Sequence, residues 1–141
     1  MEVIYKSKYH VIEYSPETQT MSNYWLDESN NLDAVSYKQE VLVWLDMYAK
    51  KKPEFLFTDL TNFTYTISPE EQEWASIETQ FFYSEDECKK HAFIVSDDFF
   101  SQLSVEQGIE NTMDKSIELK VQYFQSKEKA CMWLYNKTQV N

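Results

Sequence analysis

The chain has 141 residues, 43% of them hydrophobic and 16% aromatic, which is the make-up of one folded domain with a real core. Its formal charge is −11, from 24 acidic against 13 basic residues, and every basic residue is a lysine. Without arginine there is no bidentate fork for phosphates or base edges, and the negative balance repels polyanions, so nucleic acid and anionic membrane surfaces are not expected partners.

One glycine, Gly108, leaves no material for a phosphate-cradling loop. No stretch reaches membrane-spanning length and residues 1–6 lack the apolar run of a signal peptide, so the expectation is a cytoplasmic protein without membrane insertion. Cys88 and Cys131 stand far apart and outside any Cys-x-x-Cys pair, which fits a reduced protein. Cys131, between Ala130 and Met132, reads as a small buried apolar residue.

Residues 9–14 and 20–26 read as two strands, with the turn residues 15–19 between them making an antiparallel hairpin. Residues 3–5 either extend the first strand or form a short one of their own. Residues 28–33 are polar and aperiodic, a loop. Ser36, with Gln39 three positions on, opens the first helix as a capping box, and Tyr37, Val41, Trp44, Leu45 and Tyr48 share its inner face. Lys50, Lys51 and Lys52 suit the negative end of the helix dipole, and Pro53 stops it.

Residues 55–60 form a short apolar strand. After a polar and aromatic connection, Ser68, Pro69 and Glu71 start a second helix over 69–83: Ser68 caps, Pro69 fits the first turn, and Glu71 closes the box. Trp74, Ile77 and Phe81 are its expected inward stripe. Residues 91–95 are a continuous apolar run, a strand buried on both faces. Ser104 and Gln107 mark a short third helix carrying Val105 and Ile109. Residues 117–124 alternate as an edge strand does, and Ser126 caps a last helix with Ala130, Trp133, Leu134 and Lys137 on one face. The predicted fold is α/β in the order ββαβαβαβα: a mixed, mostly parallel sheet of right-handed crossovers with an N-terminal β-hairpin, in a single domain over 1–141.

Three stretches in this order resemble the small bacterial STAS-like proteins, relatives in fold of the anti-sigma-factor antagonists and grouped with the Sec14 lipid-binding domain. They run over 57–59 to 67–74, over 92–95 to 103–107, and over 123–130 with Trp133 and Leu134. The resemblance implies a fold and a regulatory habit rather than an activity. In the antagonists a serine at the start of the helix after the central strand is phosphorylated, within an Asp-Ser-Ser-Gly-like sequence. Here Asp59, Leu60, Thr61 and Asn62 occupy that stretch, without the serine pair or the glycine. Thr61 and Ser68 are therefore only positional candidates for phosphorylation.

Parallel strands bring the loops at their carboxyl ends to one rim. That rim gathers Asp59, Thr61, Asn62, Phe63 and Tyr65 from one loop and Ser96, Asp97, Asp98, Phe99 and Phe100 from the next. Asp59 and Asp97 read as makers of local loop hydrogen bonds rather than an acid/base pair. His10 and His91 lie on separate strands without ligand-spaced partners and read as ordinary strand residues, so neither metal nor cofactor is expected. The acidic run Ser84, Glu85, Asp86 and Glu87 reads as a solvated loop.

These readings lead to a non-catalytic domain that binds an unidentified protein partner. The rival is a carrier of a small apolar ligand or lipid at the rim. An edge strand such as 20–26 pairing across a two-fold axis would give a homodimer.

Overall fold

The computed structural model describes residues 1–83, 88–97 and 120–135. In chain order its elements are β1 (Glu2–Lys6), β2 (His10–Ser15), β3 (Thr20–Trp25), a 3-10 turn (Asp27–Asn31), α1 (Ala34–Lys51), β4 (Phe55–Asp59), α2 (Pro69–Tyr83), β5 (Lys90–Ile94), β6 (Lys120–Phe124) and α3 (Lys127–Tyr135). The helix expected from Ser104, the acidic run from Ser84, the side chain of Phe81, and Lys137 lie outside the described residues.

Six strands form one sheet in the order β1-β2-β3-β4-β5-β6. The first two pairings are antiparallel and the last three parallel, which is the expected mixed sheet with an N-terminal hairpin. Residues 2–6 are a strand of their own, on the edge, where a register shift between Val3 and Tyr5 breaks the ladder. β3 is interior, between β2 and β4, so the edge role expected for 20–26 is corrected: β1 and β6 are the edges. Its burial explains the error, since Thr20, Ser22 and Asn23 are polar by type yet enclosed.

The parallel strands advance in one direction, so right-handed crossovers place α1 and α2 on the same face. On that face α1 packs Trp44, Leu45 and Tyr48 against Ile12, Met21 and Leu56. α3 follows the last strand and is not a crossover. It covers the other face, with Ala130 and Leu134 on Phe57, Ala92 and Ile94. Thr20 Oγ1 meets the Tyr135 hydroxyl at 2.7 Å across that layer.

Helix ends follow local chemistry. α1 begins two residues before Ser36, because the Asp33 carboxylate caps it by accepting from Ser36 N at 2.8 Å. An aspartate also suits the positive end of the dipole, and so wins the cap over a serine. α1 ends at Lys52 in the left-handed region (φ 47°), with Lys52 N donating to Tyr48 O at 2.9 Å. The expected box on α2 is formed: Glu71 N donates to Ser68 Oγ at 3.1 Å, and Ser68 N donates to Glu71 Oε1 at 3.0 Å. Ile77, expected inside, is 60% exposed. Cys88 is the cysteine in the core, where its Sγ donates to Lys90 O at 3.6 Å, and Cys131, expected buried, is half-buried.

Candidate functional site

Between the sheet and the two crossover helices lies a cavity of about 520 Å³, at the carboxyl ends of β3, β4 and β5. The order of the described strands never reverses, so no topological switch point occurs among them, and the space lies over the sheet face instead. Asn23, Thr58, His91 and Phe93 face it from the strands, and Tyr37, Val41 and Trp44 from α1. The β4–α2 loop closes another side with Phe63, Tyr65 and Ile67. α2 contributes Gln72, Ala75 and Thr79 at helical spacing, a small and polar stripe. That stripe explains why Ile77 is outside: α2 turns this face to a cavity, not to the core.

Aromatic rings build the walls. Trp44 stacks on His91 at 5.9 Å between centroids, His91 on Phe93 at 4.1 Å, and Phe93 on Tyr123 at 4.8 Å. Opposite them Trp25 stacks on His10 at 4.0 Å and meets Phe63 edge-on at 5.0 Å. Tyr37 and Tyr65 stack at 5.3 Å. Such contacts fix ring positions and keep the space open.

The floor is polar and ordered. Thr58 has one hydroxyl hydrogen, and it goes to Asn23 Oδ1 at 2.6 Å. Its 2.8 Å contact with His91 Nε2 then requires that nitrogen to carry a proton. With Asn23 Oδ1 facing Thr58, Asn23 Nδ2 faces His10 Nε2 at 3.0 Å, and that nitrogen accepts. The His10 proton therefore sits on Nδ1, 3.4 Å from Glu40 Oε1, an electrostatic contact rather than a well-aligned hydrogen bond. Glu40 also accepts from the Tyr5 hydroxyl at 3.1 Å and from Ser7 Oγ at 3.2 Å. Every hydrogen points one way, from His91 through Thr58, Asn23 and His10 to Glu40.

Burial governs the titration of these groups. It drives His91 down to about 3, so the imidazole is neutral at physiological pH. Burial also lowers His10, against an upward pull from Glu40. The Tyr37 hydroxyl is pushed up to about 12 by burial, then by Glu71 and Tyr65. Tyr65 reaches about 12 chiefly through its 2.7 Å hydrogen bond to Glu71 Oε2.

Of the rim residues expected from the sequence, Phe63 and Tyr65 line the cavity. Asp59 Oδ1 accepts from Thr61 N at 2.9 Å, an Asx-type turn, and Thr61 and Asn62 are exposed. Ser96 and Asp97 are exposed, and Asp97 Oδ1 accepts from Gln125 Nε2 at 2.9 Å. Asp59 thus makes the local bond expected of it, whereas Asp97 instead reaches across to Gln125, just after β6. Asp98, Phe99 and Phe100 lie outside the described residues. Ser68 is engaged in the α2 cap. Buried Ser29 ties down the β4–α2 loop by donating to Asn62 O at 3.2 Å and accepting from Thr64 N at 3.0 Å.

Sequence reasoning missed the five-residue polar chain. Its visible signal was polar residues at inward positions of apolar strands: Asn23 between Met21 and Trp25, and Thr58 between Leu56 and Leu60. Among the described residues no cluster of three metal-ligating side chains occurs, and no helix is long and apolar enough to cross a membrane.

The architecture matches a crystal structure from Shewanella loihica PV-4, an uncharacterized protein of the DUF3478 family with a SpoIIAA-like fold. The match has a TM-score of 0.57 and covers 92% of this chain and 98% of that one. The fold is SpoIIAA-like. Sequence identity is 20%, so the likeness of this SpoIIAA-like domain to that protein is one of fold alone. No protein-family model and no curated protein sequence matches the chain.

Proposed function

We propose that this SpoIIAA-like domain is a non-catalytic, cytoplasmic binding domain that holds a small, largely apolar molecule between its sheet and its crossover helices. One observation carries the reading: an aromatic-walled cavity of about 520 Å³ with a few convergent polar groups, the form and size of small-molecule sites. The non-catalytic reading is supported by the titration of the lining. His91 near 3 and Tyr37 and Tyr65 near 12 are all far from the neutral range in which a general acid or base works best.

Native mass spectrometry of the purified protein, repeated under denaturing conditions, tests this. A ligand mass present natively and lost on denaturation is expected, and Ala75→Phe, which fills the cavity from α2, should abolish it. The same bound mass in Ala75→Phe would place the ligand elsewhere and overturn the reading.

A second reading, a regulatory domain that engages another protein, draws on exposed apolar side chains. Val35 and Leu42, one heptad apart on α1, are 66% and 47% exposed, and Ile77 on α2 is exposed as well. Val35→Asp with Leu42→Asp should then abolish recovery of a specific partner from native lysate while leaving the fold intact.

A further inference from the structure

The cavity selects its occupant by charge and by hydrogen-bond direction, and this inference rests on the small-molecule reading above. No Asp, Glu, Lys or Arg is among the described residues that line it. A ligand carboxylate, phosphate or ammonium would have to shed its water there without a counter-charge, which proteins avoid. The overall charge of −11 further disfavours anions. The histidine in the lining is neutral as well, because burial drives it down to about 3.

Direction follows from counting hydrogens on the floor. Thr58 spends its only hydrogen on Asn23 Oδ1 and receives one from His91 Nε2. One lone pair of the hydroxyl is left, and Asn23 Oδ1 has a second as well. Asn23 Nδ2 spends one of its two hydrogens on His10 Nε2 and keeps the other. A ligand hydroxyl, at once donor and acceptor, can therefore give its hydrogen to Thr58 or Asn23 Oδ1 and take one from Asn23 Nδ2, whereas an ether can only accept. The walls, from Trp25, Trp44, Phe63, Tyr65 and Phe93, offer ring faces and edges to a flat apolar body.

We infer that the occupant is an uncharged, flat aromatic molecule carrying a hydrogen-bond donor, of the phenol or indole class, whose O–H or N–H meets Thr58 and Asn23. Long-chain carboxylates are rejected by charge and by their lack of a donor, and quaternary ammonium compounds, which aromatic walls would otherwise attract, by their lack of a donor for Thr58 and Asn23.

Isothermal titration calorimetry with matched probes tests the inference: 2-naphthol, 2-methoxynaphthalene, 2-naphthoate, decanoate and tetramethylammonium. 2-Naphthol should bind most tightly. Its O-methyl isostere, which keeps the ring but lacks the donor, should bind about tenfold more weakly, the worth of one net hydrogen bond. The charged probes should bind weaker still. In the double variant Asn23→Leu/Thr58→Val, which removes both acceptors, the naphthol and methoxy probes should become equal, with folding checked by circular dichroism. Because the double variant also strips partners from His10 and His91, the wild-type ranking stands as an independent test.

Equal binding of naphthol and its ether, or tighter binding of 2-naphthoate, decanoate or tetramethylammonium, would overturn the assignment of ligand class while leaving the cavity a binding site. Failure of every probe to bind would instead remove the small-molecule reading on which the inference rests.

Discussion

His91 and His10 give the molecule a defined response to acid. Between a folded pKa of about 3 and the ordinary 6.5, the unfolded chain binds a proton at position 91 that the folded chain does not. Stability therefore rises with pH across that window and is lost as pH falls from about 6.5, at up to about 1.4 kcal/mol per pH unit. His10, also lowered by burial, adds in the same direction. The lowered carboxyls of Asp33 and Glu71 lose their contributions only below their ordinary values of 3.8 and 4.5. Urea unfolding at pH 7.5 and pH 5.5 thus isolates the histidines: wild type should be less stable at pH 5.5, and His91→Gln should halve the difference or better. An unchanged difference in the variant would clear His91 of the effect. Thr58 is the chain's midpoint. Replacing it by valine leaves Asn23 Oδ1 and His91 Nε2 unpaired in the interior, a loss of about 2–3 kcal/mol in the same assay. Two other residues are conformational misfits. Gln19 (φ 52°) and Lys52 (φ 47°) hold left-handed backbone that favours glycine, in a chain with one glycine in all. Lys52→Gly and Gln19→Gly should each stabilise the fold by about 0.5–1 kcal/mol, net of the added freedom of the unfolded chain.

Elements show where local rules sufficed. The Ser68–Glu71 box and the Ser126 cap, where Lys129 N donates to Ser126 Oγ at 3.3 Å, are short-range patterns that sequence displays directly. The α1 start was misplaced because Asp33 and Ser36 are both good caps, and only the observed Ser36 N to Asp33 Oδ1 bond decides between them. Ile77 departs from the expected inward stripe for a different reason, while Trp74 does meet Tyr37 of α1 edge-on. Apolar periodicity assumes a helix faces a core, whereas Gln72, Ala75 and Thr79 face a cavity, which nothing local encodes. The β4–α2 loop is held to α2 by the Tyr65–Glu71 bond and to the 3-10 turn by Ser29. Tyr65→Phe should therefore speed amide hydrogen exchange over residues 61–67 while leaving β4 protected. Uniform protection in the variant would show that Ser29 alone suffices.

At the scale of the whole molecule, the order of strands and helices was legible because periodicity and turn residues mark each element, and crossover handedness then fixes which face the crossover helices take. The polar chain was not legible, since Glu40, His10, Asn23, Thr58 and His91 come from four strands and a helix and meet only through the sheet register. Covering of the second face rests on α3. Leu134→Ala, at a fully buried contact with Phe57 and Ile94, should cost about 2–4 kcal/mol in urea unfolding, and a cost below ~1 kcal/mol would mean that α3 contributes little.

The central claim is that the space between the sheet and α1/α2 binds a small molecule, and the tryptophans report on it. Trp25 and Trp44 line the cavity, whereas Trp133, on α3, packs against the opposite face of the sheet. Titration of 2-naphthol into nitrogen-15-labelled protein, followed at the indole N–H resonances, should move Trp25 and Trp44 saturably, leave Trp133 in place, and lose both shifts in Ala75→Phe. Movement of Trp133 instead, or shifts of Trp25 and Trp44 that survive in Ala75→Phe, would contradict the account.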